Sequence, residues 1–393
     1  MRLALGLIVG TLIVMVASTA ILGDAHRLAE GIQEHHEIGD FYDVPSPIPP
    51  GAPGEIVRSQ PLLSAPHGAH AWRVLYHSRD VHGADIVVSG VIIAPDGTAP
   101  ATGRTIVSWG HPTTGAAPHC APSLAIDPFD LIEGLSDLLR SGYVVAATDY
   151  AGMGVSTPNS YLIGQTEGQN MLDAARAART IADTGAGNRL VLWGHSQGGQ
   201  AALFAAELAG TYAPEFDLLA VAVAAPATNI GALFDADLGD VSGVTIGAYA
   251  LTAYGDVYAS TPGVRLESIL TPQGLAAARQ IEPMCLLSET KQIHAIATPV
   301  VGAFVTSNPV TTEPWSRLLA ENTPGSRSLN VPLLIVQGES DTLVRPEITA
   351  AFVDHEREIG TRVTYLTFPH IDHGLIAMVA LPEVMKWLRE VGA

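Results

Sequence analysis

Short runs of consecutive apolar residues recur along this chain, and stretches with helical spacing lie between them. Residues 105–109, 143–148, 190–193, 218–225, 331–337 and 363–368 are such runs, rich in Val, Ile, Leu and Ala. Runs of this length, bounded by Gly, Pro and polar clusters, predict strands buried on both faces. Residues 130–141, 166–184, 197–209, 346–359 and 375–391 carry apolar positions at intervals of three and four and predict helices. Gly168 is the weak position of the second of these. Nearer the start, residues 71–78 and 86–94 predict a pair of adjacent strands. Strands alternating with helices in this way define the α/β class, a mostly parallel central sheet with helices on both faces.

Two stretches break the rhythm. Residues 26–70 are rich in proline (Pro45, Pro47, Pro49, Pro50, Pro53) and predict a surface arm with little regular structure. Residues 227–330 hold an apolar, Gly- and Ala-rich run at 241–258, then helices punctuated by proline. About 100 residues between consecutive strands far exceeds an ordinary connection. This insertion is expected to form a helical cap over the carboxyl ends of the strands, where open α/β sheets bind ligands. At the start, Met1 and Arg2 precede an apolar run to Val16 and small residues through Ala20, which predicts an export signal. An uncleaved membrane anchor is the rival reading. The chain thus divides into a signal (1–20), an arm (21–70), an α/β core (71–226 and 331–393) and a cap or lid (227–330).

Composition narrows the partners. The 393 residues, 47% hydrophobic and 15% charged, suit one large domain with an insertion and a sizeable core. Net charge is −19, and Lys291 and Lys386 are the only lysines. No basic patch is left for phosphates, which argues against nucleic acid and against electrostatic docking on anionic lipid. Cys120 and Cys285 are the two cysteines. In an exported chain two cysteines suggest one disulfide, worth about 5 kcal/mol in the chain-entropy account; two buried thiols are the alternative. No Cys or His spacing fits a metal site, and no cofactor is expected. His35, His36, His67 and His70 stand in polar, Pro-rich surroundings and read as solvated.

Candidate chemistry centres on residues 190–200, L-V-L-W-G-H-S-Q-G-G-Q: a buried strand, a glycine-flanked serine and a small-residue helix. A bare G-x-S-x-G is expected by chance about 0.2 times in a chain with this much glycine, so the context carries the assignment. The context is that of a nucleophile elbow, a turn so tight that a Cβ at Gly194 or Gly198 would strike strand or helix. Ser196 is the candidate nucleophile. A serine hydroxyl needs a base, and the base needs an orienter. The strand at 331–337 is followed by G-E-S-D with Asp341 at the turn tip. The strand at 363–368 is followed by P-H-I-D-H-G, with His373 just before Gly374 and the last helix. Asp341 and His373 follow Ser196 in the order this elbow requires. Glu339 and His370 compete; the turn tip favours Asp341, and the glycine and helix beyond it favour His373. His195 is expected to pack beside the site, and Asp149 to cap the loop 150–156. The oxyanion is expected to meet the backbone N–H of Gln197 at the helix start and that of Thr113, since Pro112 has none. A hydroxyl of Thr113 or Thr114 would add a bond.

These pieces together resemble the α/β-hydrolase superfamily, and within it the secretory lipase family of the lipase A type. They are W-G-H-P-T-T-G at 109–115, D-Y-A-G-M-G at 149–154, Y-L-I-G at 161–164, G-H-S-Q-G at 194–198, G-E-S-D at 338–341 and H-G at 373–374. The resemblance spans residues 70–390, and D-Y-x-G-x-G and H-P-T-T-G are its most specific parts. It implies the α/β-hydrolase fold, secreted hydrolysis of carboxylic esters, an acyl pocket supplied by the cap, and a Cys120–Cys285 disulfide. On this reading Ser196 attacks an ester carbonyl, His373 carries the proton, Asp341 holds the imidazole, and the Gln197 and Thr113 amides bind the oxyanion. The substrate is a small-molecule or lipid ester with an apolar acyl group, and transient contact with a lipid interface through the cap is expected. The alternatives are an acyltransferase or peptidase on the same scaffold, or a binding module without catalysis.

Overall fold

The computed structural model of the chain describes residues 24–393, and the expected signal at 1–20 lies outside the described residues. Helical backbone at 24–36 (α1) leads to β1 (Ile56–Leu62), β2 (Ala69–Arg79), β3 (Asp85–Pro95) and β4 (Arg104–Gly110). Then come α2 (Leu135–Arg140), β5 (Val144–Thr148), α3 (Gly164–Thr180), β6 (Ala186–His195), α4 (Gln197–Tyr212) and β7 (Asp217–Ala224). Five helices follow: α5 (Ile230–Asp237), α6 (Val241–Val257), α7 (Pro272–Ile281), α8 (Leu286–Ala297) and α9 (Trp315–Glu321). The chain ends with β8 (Leu333–Gly338), α10 (Pro346–Glu358), β9 (Val363–Phe368) and α11 (Ile376–Glu390).

Among the described residues the strands form one nine-stranded sheet in the order β1-β2-β3-β5-β4-β6-β7-β8-β9. Neighbours from β5 to β9 pair parallel, whereas β1, β2 and β3 pair antiparallel and join the rest through an antiparallel β3–β5 pair. β5 and β8 are buried at every residue, as strands covered on both faces must be. Their side chains alternate between two layers. Val144, Ala146, Leu190 and Leu192 pack with α3 and α4; Val145, Ala147, Val191 and Trp193 pack with α2 and α11. Helices α3 and α4 lie close together. A Cβ at Gly168 would stand 2.7 Å from the Ala205 nitrogen, which explains a glycine inside that helix.

The segment between β7 and β8 buries its own apolar cluster, including Tyr249, Tyr254, Ile281, Phe304 and Trp315. The Cys120–Cys285 disulfide ties the start of α8 to the chain beyond β4. Beside it Gly115 and Cys285 form an isolated β-bridge, and Leu286 N donates to Thr114 O at 2.8 Å. Among the described residues no helix is long and apolar enough to cross a membrane.

The arm differs from expectation. It carries α1 and the edge strand β1 rather than irregular chain alone. β1 has the mixed, half-exposed pattern of an edge, and it forms because β2 offers its free backbone groups, not because of apolar periodicity. The helix expected over 130–141 shrinks to α2. Gly134, at φ 87, precedes it and leaves residues 130–133 in turns.

Candidate active site

β6 ends at His195, and α4 begins at Gln197. Ser196 between them sits at φ 57, ψ −116, a conformation that costs a non-glycine residue about 1–3 kcal/mol. Its N–H donates to Ala224 O at 2.9 Å, and its carbonyl accepts from Gln200 N and Ala227 N, both at 3.1 Å. The flanking glycines permit the turn. A Cβ on Gly194 would stand 2.0 Å from Gly198 O, and one on Gly198 would stand 1.9 Å from Gly110 O. No side chain fits at either position, and backbone is the obstacle in both.

The two loops beyond β8 and β9 meet the serine at the carboxyl end of the sheet. His373 Nε2 lies 2.8 Å from Ser196 Oγ, and His373 Nδ1 lies 2.8 Å from Asp341 Oδ2. Asp341 is buried. Its Oδ1 accepts from Leu343 N at 2.9 Å and Val344 N at 2.8 Å, and its Oδ2 accepts from Gln337 Nε2 at 3.1 Å. Thr349 Oγ1 donates to Gln337 Oε1 at 2.8 Å and fixes that amide. With Asp341 as acceptor, Nδ1 carries the proton and Nε2 is left to accept from the serine hydroxyl. The competitors stand elsewhere. His370 is exposed at φ 62, and Glu339 accepts from Thr367 Oγ1 at 2.8 Å on the surface.

His195 packs beside His373, with ring centroids 5.1 Å apart. Its Nε2 lies 3.0 Å from the His373 carbonyl, and its Nδ1 lies 3.1 Å from Glu133 Oε2. The ring therefore clips the loop that carries His373. Asp149 does not cap the loop 150–156. Its carboxylate accepts from Ser89 Oγ at 2.5 Å, from Ser123 N at 2.9 Å and from Ser123 Oγ, tying β3 to the segment after β4. The reason is distance along the fold: β3 pairs directly with β5 at that point.

Gln197 and Thr113 border the same cavity as Ser196. The Thr113 hydroxyl pairs with Tyr161 OH at 2.7 Å, and that of Thr114 donates to Cys120 O at 3.0 Å, so the Thr114 hydrogen is already committed away from the site. The cavity encloses about 520 Å³ of empty space, part of it open to solvent. Its far wall is apolar and comes from the segment between β7 and β8, with Ile230, Leu233, Phe234 and Ile246. Asp237 also borders it. Burial pushes the Asp237 carboxyl up to about 6, against the opposing pull of Arg345, which bonds it at 3.0 Å from the core.

Sequence reasoning missed two acids, the half-buried Glu133 and the buried Glu167. Glu167 in α3 accepts from Gln197 Nε2 at 2.6 Å and from Leu162 N at 3.0 Å. Burial pushes its carboxyl up to about 8, against those two hydrogen bonds. Glu167, Asn170 and Asp173 recur at intervals of three in one helix, and all are fully buried, which that spacing alone does not reveal. Among the described residues, the one trio of adjacent metal-ligand types is His119, Cys120 and Cys285, whose sulfurs are consumed in the disulfide.

A mostly parallel sheet covered by helices, with a serine at a strained strand-to-helix turn, defines the α/β-hydrolase class. The secretory lipase family model matches residues 130–391, and the chain belongs to that family. It is 24% identical over 371 residues to a probable inactive lipase of Mycobacterium tuberculosis, covering 89% of this chain and 81% of that one. It is 30% identical to Lipase 5 of Candida albicans over 222 residues, which is 51% of this chain and 46% of the other. The chain therefore spans less than half the length of that fungal relative. The structure of Candida antarctica lipase A in its closed state superposes with a TM-score of 0.72 at 20% identity, covering 89% of this chain and 85% of that one.

Proposed function

We propose that this chain is a carboxylic ester hydrolase acting through an acyl-enzyme on Ser196, with His373 as general base and acid and Asp341 as its orienter. The observation that carries this reading is the continuous relay from Ser196 Oγ through His373 to Asp341, both links at 2.8 Å. As Oγ bonds to the ester carbonyl carbon, its proton passes to Nε2, and the imidazolium is held against Asp341. The carbonyl oxygen becomes an oxyanion, met by the backbone N–H of Gln197 at the start of α4 and by that of Thr113. Collapse expels the alcohol, which takes the proton from Nε2. Water then repeats the sequence and frees the acid. The acyl group occupies the cavity under residues 227–330, which act as the cap; its apolar lining suits an apolar chain.

The test is hydrolysis of p-nitrophenyl butyrate by wild type and Ser196→Ala. Near-complete loss in the variant is expected, and full retention contradicts the assignment. Acyl transfer and peptide hydrolysis would use the same groups; product analysis with an added alcohol, or with an amide substrate, separates them. Non-catalytic binding is a second reading, prompted by the inactive designation of the mycobacterial relative, and it predicts no turnover by either form. Export is part of the proposal and is supported by family membership and by a disulfide, a bond that persists in oxidising compartments. Protein recovered from culture medium should begin shortly after Ala20; retention of the intact chain in membranes contradicts export. For a lipid interface the cap offers Leu287, and the start of α11 offers Met378 and Val379 with Leu375 just before it, all exposed.

A further inference from the structure

Beside the nucleophile, one buried carboxyl and one buried amide are left half paired. Glu167 Oε1 accepts both hydrogen bonds offered to this side chain, from Gln197 Nε2 at 2.6 Å and from Leu162 N at 3.0 Å. Its Oε2 has no partner, and neither has Gln197 Oε1, although both atoms are buried. An ionised carboxylate cannot resolve this, because neither orphan oxygen carries a hydrogen. A carboxylic acid can. A hydrogen on Oε2 would donate to Gln197 Oε1 while Nε2 donates to Oε1, closing a ring of two hydrogen bonds. The surroundings favour the acid. Among the described residues no guanidinium, ammonium or imidazole group hydrogen-bonds to Glu167. The titratable groups that face it are the phenols of Tyr150 after β5, Tyr161 before α3 and Tyr254 in α6. Burial holds all three phenols above their ordinary range, so they stay neutral and supply no compensating positive charge. An unpaired buried carboxylate is among the costliest groups a fold can hold.

We propose that Glu167 is kept as the neutral acid and that its pair with the Gln197 side chain positions the oxyanion-binding N–H of Gln197. Glu167 touches no reacting atom and is a positioning residue. It holds a second element of the cavity as well. Leu162 borders the cavity at φ 56; its N–H is held by Glu167, and its carbonyl accepts from Tyr254 OH at 3.1 Å and Gln200 Nε2 at 3.3 Å. On ionisation Oε2 can no longer donate and repels Gln197 Oε1, so the ring opens and the Gln197 side chain keeps only its Nε2 bond to Oε1.

The kinetic half of this proposal rests on the ester hydrolase reading, and the protonation half does not. Infrared difference spectra between wild type and Glu167→Gln address the protonation half without any turnover. A carboxylic-acid carbonyl band is expected in wild type at pH 6, absent from the variant and lost as pH rises through about 8. Absence of that band at pH 6 overturns the proposal. In the kinetic arm, wild-type kcat on p-nitrophenyl butyrate should fall roughly 10-fold between pH 7 and pH 9. Glu167→Gln, which can form the same ring, should match wild type within about twofold at pH 7 and lose the alkaline fall. Glu167→Ala should lower kcat roughly 10-fold or more at nearly constant KM. A Glu167→Gln variant that keeps the wild-type alkaline fall, or a Glu167→Ala variant changed in KM alone, overturns the positioning role. Should wild type show no turnover at all, the hydrolase reading fails and the infrared result still decides the state of Glu167.

Discussion

Asp341 receives two backbone N–H bonds and one amide bond in addition to His373, so its carboxylate is held as an acceptor before any substrate arrives. Asp341→Asn keeps the shape but offers a donor to Nδ1 and so favours the wrong tautomer. A loss of roughly 10⁴ in kcat is expected, read from steady-state kinetics with KM little changed; a loss under tenfold contradicts the orienting role. His195 acts at one remove, through the His373 carbonyl. His195→Phe should keep the packing and release the loop, lowering kcat roughly 10- to 100-fold without a matching rise in KM. Ser196, Asp341 and His373 were legible in the sequence because residue type, chain order and the ends of apolar strands all constrain them. Glu133 and Glu167 were not, because a glutamate in a helical or turn pattern reads as solvated. Only the tertiary approach of α3 to the elbow shows that Glu167 is buried.

Turn geometry sets the site at the scale of elements. Strand β6 must deliver Ser196 into contact with α4 while β4 passes alongside, and Gly198 is the point of closest approach. Gly198→Ala places a methyl 1.9 Å from the Gly110 carbonyl oxygen and must push β4 or α4 aside. Because that shift moves both the loop holding Thr113 and the start of α4, the variant should lose stability and hydrolysis together. Thermal unfolding and turnover measured on the same preparation check this; an active variant with wild-type Tm contradicts it. The parallel strands were readable as apolar runs, and β9 falls on residues 363–368 as the pattern predicts. β1 was hidden because an edge strand needs no apolar face of its own. The start of α2 was hidden by a left-handed glycine that hydrophobic spacing does not register.

For the molecule as a whole, the disulfide links the loop beyond β4 to the segment between β7 and β8. Replacing Cys120 and Cys285 by serine should lower the unfolding free energy by about 2–5 kcal/mol, measured by denaturant titration. The buried acids give stability a definite pH dependence. Glu167 is raised to about 8, and Asp173 and Asp237 to about 6, by burial in each case. The folded state therefore holds these protons more tightly than the unfolded chain, so this stabilisation is full in acid and is lost as pH rises through those values. Above pH 6.5 Glu167 is the one of the three that is still mostly protonated. Wild type should lose about 1–2 kcal/mol between pH 6.5 and 8, and Glu167→Gln should show a flatter profile in paired denaturant titrations. Parallel slopes for the two proteins would contradict the burial of an unpaired acid at this position. The central claim, that residues 196, 341 and 373 form a working nucleophile, is tested most directly by reaction with a fluorophosphonate probe followed by peptide mapping. One stoichiometric adduct on Ser196 is predicted in wild type, with reaction sharply slowed in His373→Ala. A wild-type protein that is folded yet unlabelled, or labelled elsewhere, would contradict it.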